Sequence, residues 1–186
     1  MSHKIFNVPN QLTMARLVLS IAVFVLIPMG NYIASMVLFL IAALTDWVDG
    51  YWARKFGQVT QLGRILDPFV DKIVICGTFV FLVAEDGSGI PAWIAVVVVG
   101  REMLVTALRS FLEQQGCDFS ASTSGKLKMV LQCAAVVASL WTLSYVEGEP
   151  CDWTVTARFW LVVGAVVMTI YSGVEYVVSA IRLMRD

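Results

Sequence analysis

Histidine is almost absent from this chain, and cysteine occurs only at isolated positions. The one histidine, His3, lies near the N-terminus, and no two cysteines have the C-x-x-C spacing of a metal site. The cysteines are Cys76, Cys117, Cys133 and Cys151. Neither residue type is therefore a good candidate for catalysis.

Charged residues are also scarce, at 15% of the chain, whereas 59% of the residues are hydrophobic and the mean hydropathy is +0.79. A soluble domain of 186 residues could not bury this much apolar surface. Six apolar stretches have about the 20 residues that a helix needs to cross a bilayer. They cover residues 13–29, 32–54, 66–85, 91–113, 126–146 and 155–182. The sequence predicts an all-α, polytopic membrane protein with six transmembrane helices, forming one domain over residues 1–186 with a juxtamembrane segment at about residues 1–12.

The positions of the basic residues predict the orientation. Lysine and arginine cluster at alternate ends of the six stretches, as at Arg54 and Lys55, whereas the opposite ends are mainly acidic. Because basic residues are retained on the cytoplasmic side, both termini should face the cytoplasm. The basic ends could also attract anionic membrane lipids. The net charge of −1 says little about partners, because the distribution of the charges is more informative than their sum. No nucleic-acid partner is expected.

Four aspartates at fixed spacing are the most informative feature of the chain. Asp46 and Asp49 lie near the end of the second apolar stretch, and Asp67 and Asp71 near the start of the third. One ionised side chain at hydrocarbon depth costs at least about 2.5 to 3.5 kcal/mol, and four close together also repel one another. Bound cations would offset both effects, so the four carboxylates predict a metal site.

Helical geometry brings the four carboxylates together. The first pair shares one face of the second helix, the second pair shares one face of the third, and an antiparallel arrangement would join the two faces. Carboxylate oxygens suit Mg²⁺, Mn²⁺ or Ca²⁺. Four of them could hold two ions, as in two-metal phosphoryl-transfer sites. The same acids would also suit a divalent-cation transporter, an alternative of a different class.

The residues between the acids suggest a ligand. Gly50 and Ala53 leave an open patch on the helix, and Arg54 offers paired donors to phosphate oxygens. Gly50 and Ala53 could instead serve close helix packing. Pro68 disfavours a helical conformation at Asp67, so it is expected to start or kink the third helix.

The whole pattern is D-x2-D-G-x2-A-R-x8-G-x3-D-x3-D, running from Asp46 to Asp71. It resembles the signature of the CDP-alcohol phosphatidyltransferase family. The resemblance implies a six-helix, usually homodimeric protein of the bacterial inner membrane, with a cavity open to the cytoplasm and to the lipid. It also implies transfer of a phosphatidyl group from CDP-diacylglycerol to an alcohol, with two divalent cations, Mg²⁺ or Mn²⁺, as cofactors.

The resemblance also assigns roles to single residues. The four aspartates would ligate the metal ions, and Asp71 would be the general base for the acceptor hydroxyl. The residues that border CDP-diacylglycerol would be Asn10, Thr13, Gly50, Ala53, Arg54 and Gly63. Asn10 and Thr13 could instead cap the first helix.

Further segments, among them residues 7–16 and 100–102, are most similar to family members that use sn-glycerol 3-phosphate as the acceptor. Such an acceptor needs a second anion site. Arg101 and Arg109 lie on about the same face of the fourth helix and are candidates for it. Lys126 is favoured over Lys128, because the two are about 200 degrees apart on the fifth helix and only one should face the cavity.

Alternatives remain for this second site. Arg101 could form an ion pair with Glu102 or Glu175, and Lys126 could be a topology determinant at the membrane surface. The acceptor could also be inositol phosphate, phosphatidylglycerol or serine, with the same chemistry.

Overall fold

The structure is a computed structural model that describes residues 8–56, 61–114, 123–145 and 151–183, with side chains at residues 11–45, 69–112, 123–145 and 151–183. These residues form six helices and no strand. The helices are α1 (Val8–Leu26), α2 (Tyr32–Phe56), α3 (Gln61–Val83), α4 (Ala92–Gln114), α5 (Thr123–Leu143) and α6 (Asp152–Leu183). The prediction of an all-α chain is confirmed for this part of the protein, and each helix overlaps one predicted stretch.

Glycines in the left-handed region close two of the connections. Gly30 has a φ of 76° and follows the end of α1. Its N–H donates to the Ile27 carbonyl at 2.9 Å, while the Asn31 N–H donates to the Leu26 carbonyl at 3.0 Å. This pair of bonds is a Schellman motif, which ends a helix and reverses the chain. As a result α1 and α2 pack together as neighbours.

Packing of the apolar helix faces forms the core. α1 packs against α2 and α3, α5 packs against α2 and α6, and α4 packs against α3 and α6. The core includes Ile27, Phe79, Leu82 and Leu140, all fully buried. These residues lie toward the α1–α2 and α3–α4 connections and the C-terminal end of α5. Consequently the aspartate motif lies toward the opposite end of the bundle.

Polar contacts fasten the end of the bundle nearest the core. The Tyr32 hydroxyl donates to a Glu85 carboxylate oxygen at 2.7 Å, which joins α2 to the segment after α3. The Arg158 guanidinium donates to the Gly87 carbonyl and, at 3.2 Å, to the Thr142 hydroxyl. The connection between α3 and α4 is therefore held by both α2 and α6.

Two helices of the described residues, α5 and α6, are long and apolar enough to cross a membrane. Shorter apolar segments occur within α1, over Gln11–Leu26, and within α2, over Tyr32–Thr45. The six helices predicted from the sequence are thus present, while their six membrane crossings stay a prediction.

Two alternatives offered for helix starts are wrong, while the alternative that Pro68 kinks α3 stays a prediction. α3 begins at Gln61 and continues through Asp67 and Pro68, so Pro68 does not start the helix and Asp67 is helical. The residue before a proline is only biased away from the helical region, and helices can continue through this position. Thr13 lies inside α1 and is buried, so it does not cap that helix.

Candidate active site

A cavity of about 600 Å³ lies beyond the apolar core, toward the ends of the helices that carry the aspartate motif. All six helices contribute to its wall. Its charged lining residues are Arg16, Lys72, Arg101, Arg109, Lys126 and Lys128, together with the acidic Asp71 and Glu102. A cleft lined mainly by one sign of charge concentrates its electric field. The described lining therefore favours an anionic ligand.

The aspartate motif lies on the helices that the spacing predicted. Asp46 and Asp49 fall within α2, and Asp67 and Asp71 fall within α3. These two helices contact each other. The side chain of Asp71 lines the cavity and is 35% exposed. The carboxylate of Asp71 is thus within reach of a bound ligand.

The other residues of the motif, together with Asn10, lie outside the described side chains. These residues are Asn10, Asp46, Asp49, Gly50, Ala53, Arg54, Gly63 and Asp67. Their proposed roles in metal and CDP-diacylglycerol binding stay predictions.

Arg16 binds the Asp71 carboxylate, a contact that the sequence did not predict. The Arg16 side chain is only 2% exposed, and its guanidinium donates to Asp71 Oδ1. In the sequence Arg16 fits a topology signal near the start of the first helix. The available sequence signal was weak: one arginine just inside an apolar helix, with carboxylates on another helix.

Arg101 and Arg109 both lie over one aromatic ring. The guanidinium carbons of Arg101 and Arg109 are 5.5 Å and 5.8 Å from the centroid of the Tyr176 ring. The Arg109 Nη2 group also donates to the Tyr176 hydroxyl at 2.9 Å. The prediction that the two arginines share a face of α4 is confirmed, since both line the cavity. Tyr176 was not singled out in the sequence.

A buried ion pair crosses the cavity from α4 to α5. The Lys128 ammonium donates to the Glu102 carboxylate, and both residues are buried. Arg101 Nη1 lies 3.3 Å from the same oxygen of Glu102. α4 and α5 do not pack against each other in the described residues, so this pair connects them through side chains.

The outcome for the lysines differs from the expectation. Both Lys126 and Lys128 line the cavity, so the prediction that only one of them faces it is wrong. Lys128 is the buried one and Lys126 is exposed. The bundle surrounds this end of α5 on more than one side, which the helical angle alone could not show.

Of the alternatives for Arg101, the pairing with Glu102 is confirmed. Glu175 instead accepts a hydrogen bond from Ser124.

Gln132 adds a buried amide to the wall of the cavity. Its Nε2 donates to the Thr169 hydroxyl at 2.9 Å, and that hydroxyl donates to the Ala165 carbonyl at 2.6 Å. Because the Thr169 hydrogen is already used, the amide nitrogen must face Thr169. The Gln132 carbonyl oxygen is buried and has no partner in the part of the chain that the structure describes. This end of the cavity is therefore polar.

One predicted metal ligand, Asp71, has a described side chain, and its surroundings suit a metal ion. No group of three or more His, Cys, Asp or Glu side chains that could hold an ion occurs among the described residues. Asp71 is the predicted ligand whose side chain is described, and its carboxylate lies at a polar cavity. A hard oxygen ligand there suits a divalent cation such as Mg²⁺ or Mn²⁺.

The fold and the site together define an all-helical protein whose basic, aspartate-bearing cavity suits a phosphate-containing ligand. The chain matches the CDP-alcohol phosphatidyltransferase family over residues 6–171 and belongs to that family. The resemblance seen in the aspartate pattern is thereby confirmed.

Relatives within the family share most of the chain. A CDP-diacylglycerol–glycerol-3-phosphate 3-phosphatidyltransferase of Bacillus subtilis is 38% identical over an alignment of 151 residues, and the match covers 73% of this chain and 77% of that protein. The protein of the same name from Escherichia coli K12 is 32% identical over an alignment of 180 residues, and the match covers 94% of this chain and 95% of that protein.

A solved structure shares the fold. It is the phosphatidylinositol phosphate synthase of Mycobacterium tuberculosis in complex with manganese and citrate, with a TM-score of 0.57 and 20% identity. The match covers 91% of this chain and 81% of that one. At this identity the likeness supports the fold alone.

Proposed function

We propose that the chain transfers the phosphatidyl group of CDP-diacylglycerol to sn-glycerol 3-phosphate, giving phosphatidylglycerophosphate and CMP in phospholipid biosynthesis. The observation that carries this proposal is the placement of Asp71 in a cavity whose charged lining residues are mainly arginine and lysine. Family membership supports the phosphatidyl transfer. The names of the Bacillus and Escherichia relatives support the two substrates.

The proposed reaction needs a base for the acceptor hydroxyl, which is a poor nucleophile near neutral pH. Asp71 takes the hydroxyl proton while the oxygen attacks the phosphorus that carries diacylglycerol. The bond from this phosphorus to the CMP oxygen breaks, and CMP leaves with the bonding electrons. Arg16 orients the carboxylate during this step, because its guanidinium donates directly to Oδ1. Both substrates and the departing CMP are anionic, so the basic lining suits all three.

Four aspartates would hold the metal ions: Asp46, Asp49, Asp67 and Asp71. Two divalent cations, Mg²⁺ or Mn²⁺, are proposed as the cofactors, and when bound they would stabilise negative charge on the diphosphate. The helical backbone of α2 and α3 at these positions supports the assignment. So does the exposure of Asp71 to the cavity.

The substrates would occupy two parts of the site. Residues of α1, α2 and α3 would border CDP-diacylglycerol, namely Asn10, Thr13, Gly50, Ala53, Arg54 and Gly63. Arg101, Arg109 and Lys126 would bind the phosphate of the acceptor. Their position in the cavity wall supports this assignment, and Lys128 joins them there.

The proposal extends to the setting of the enzyme. We infer one integral domain with six membrane crossings in the bacterial inner membrane, both termini and the active site on the cytoplasmic side, and a homodimeric assembly. Large apolar side chains on the outer surface support contact with lipid. Among them are Val96 and Met103, both 68% exposed, and Trp160, 65% exposed. Membrane lipids would surround such a surface.

CMP release by the purified protein tests the function. CDP-diacylglycerol in mixed micelles is supplied with Mg²⁺ or Mn²⁺ and with glycerol 3-phosphate, inositol phosphate, serine or phosphatidylglycerol. Release that needs glycerol 3-phosphate and stops on chelation is the expected result. Release with a different acceptor would overturn the substrate assignment. Divalent-ion flux in vesicles without CMP release would instead favour a transporter.

A further inference from the structure

A single face of α6 contacts both arginines of the proposed acceptor site. Tyr176 is 4% exposed, and its ring lies within 6 Å of the guanidinium carbons of Arg101 and Arg109. Gly173 lies one turn earlier on the same face of α6. A Cβ atom placed on Gly173 would lie 3.2 Å from Arg101 Cγ, so the absence of a side chain there admits the arginine stem. Gly173 and Tyr176 thus form the surface against which Arg101 packs.

Bringing two like charges to one ring is unfavourable unless something offsets their repulsion. Glu102 lies near Arg101, at 3.3 Å, whereas the described contact of Arg109 Nη2 is with the neutral Tyr176 hydroxyl. The Nε atoms of Arg101 and Arg109 are both buried and have no hydrogen-bond partner among the described residues. Buried donors without partners in a basic cavity are suited to an anion with several acceptor oxygens. A phosphate group has this chemistry.

We propose that Tyr176, with Gly173 beside it, is a positioning residue that presents Arg101 and Arg109 to the phosphate of the acceptor. The inference rests on the proposed function and extends it to a residue that does not itself need to touch substrate. The ring face attracts the guanidinium groups through its quadrupole. The hydroxyl fixes Arg109 through a hydrogen bond with a definite direction. Both interactions reduce the freedom that the arginines would otherwise lose when phosphate binds.

Two variants separate the parts of this arrangement. Tyr176→Phe retains the ring and removes the hydroxyl that accepts from Arg109. Gly173→Ala leaves the tyrosine intact and displaces the stem of Arg101. The matched controls are Tyr171→Phe, because Tyr171 on the same helix is 60% exposed, and Gly164→Ala, where the nearest atoms to an added Cβ lie at 3.9 Å.

Steady-state kinetics give the first readout. Tyr176→Phe should raise KM for glycerol 3-phosphate about tenfold, as expected for loss of a charged hydrogen bond, and Gly173→Ala should raise it about threefold. In both variants kcat and KM for CDP-diacylglycerol should change less than about twofold. If Tyr176 and Gly173 had only a structural role, the KM values for both substrates would change together. Equal changes in the two KM values, or no change in KM for glycerol 3-phosphate, would overturn the proposal.

Inorganic phosphate gives a readout that does not need turnover. It should raise the unfolding temperature of the wild-type protein and of both controls, and raise it less in Tyr176→Phe. If the wild-type protein releases no CMP but is still stabilised by phosphate, the proposed function is refuted, while the positioning of the two arginines for phosphate is retained. If phosphate does not stabilise the wild-type protein, the proposed positioning of Arg101 and Arg109 is refuted, whether or not the protein releases CMP. If Gly173→Ala does not fold, Tyr176→Phe still decides the question, since it only removes an oxygen atom.

Discussion

Arg16 and Asp71 are 55 positions apart in the sequence, yet the guanidinium of one donates to the carboxylate of the other inside the cavity. The contact joins α1 to α3 and places a permanent positive charge beside the proposed base. Arg16 is also among the largest fully buried side chains in the described part of the chain. A long cationic side chain is rarely buried so completely unless it is paired.

Replacing Asp71 by asparagine should remove the proton acceptor while preserving the size of the side chain. Loss of a positioned general base lowers the rate by about 10² to 10⁴-fold, and CMP release measures it. Asp86→Asn is the control, because Asp86 is exposed in the connection between α3 and α4. Undiminished release by Asp71→Asn would rule out this aspartate as the base.

Replacing Arg16 should lower activity through Asp71. Arg16→Lys keeps the charge but lacks the planar fork of donors, so its rate should fall by about tenfold. The rate of Arg16→Met should fall further, because this variant leaves the Asp71 carboxylate without the Arg16 guanidinium. The control is Arg182→Met, at an exposed position in the last turn of α6. The same CMP assay applies, and wild-type turnover by Arg16→Met would contradict the orienting role.

Glu102 and Lys128 should be coupled in stability. Removing one partner of a buried ion pair is destabilising by about 3 to 5 kcal/mol, because the other charge stays buried without compensation. Glu102→Met and Lys128→Met should therefore each lower the unfolding temperature in detergent. The double variant should be more stable than the sum of the single effects implies. Simple additivity would show that the pair does not act as a unit.

Gly77 and Gly100 should respond in opposite ways to alanine. A Cβ on Gly77 would overlap the Phe24 ring, and Phe24 stacks on Phe81 with ring centroids 5.1 Å apart, so the ring has little room to move. Gly77→Ala should be destabilising by about 1 to 3 kcal/mol.

Gly100→Ala is the matched control on α4. Among the described residues, no atom beyond the local backbone of α4 lies within 4 Å of an added Cβ at Gly100, and alanine favours helix by about 0.8 to 1 kcal/mol over glycine. Thermal unfolding of both variants in detergent measures the difference. Equal unfolding temperatures would contradict the contact between Gly77 and Phe24.

Local patterns in the sequence were enough to predict the helices. Each helix overlaps a long apolar stretch, and the spacing of Asp67 and Asp71 correctly placed both on α3. The shared face of Arg101 and Arg109 also followed from spacing within one helix. Such inferences need only the geometry of a single helix.

Contacts between helices were not predictable in this way. Arg16 meets Asp71, and Lys128 meets Glu102, across pairs of helices whose rotation depends on packing of the whole bundle. Tyr176 resembled other apolar residues of α6, because nothing local indicates which ring will face two arginines. The aspartate pattern carried more information than any single helix, since it joined two helices at fixed spacing.

The end of the bundle that is held by polar contacts beside the core offsets the repulsion among the basic side chains at the other end. Tyr32, Glu85 and Arg158 hold the connections beside the apolar core, while six other basic side chains line the cavity in the other half. Mutual repulsion there raises the free energy of the empty protein, and the core supplies the opposing stabilisation. An anionic substrate relieves that repulsion when it binds. In thermodynamic terms, substrate binding and the stability of that half of the molecule are coupled.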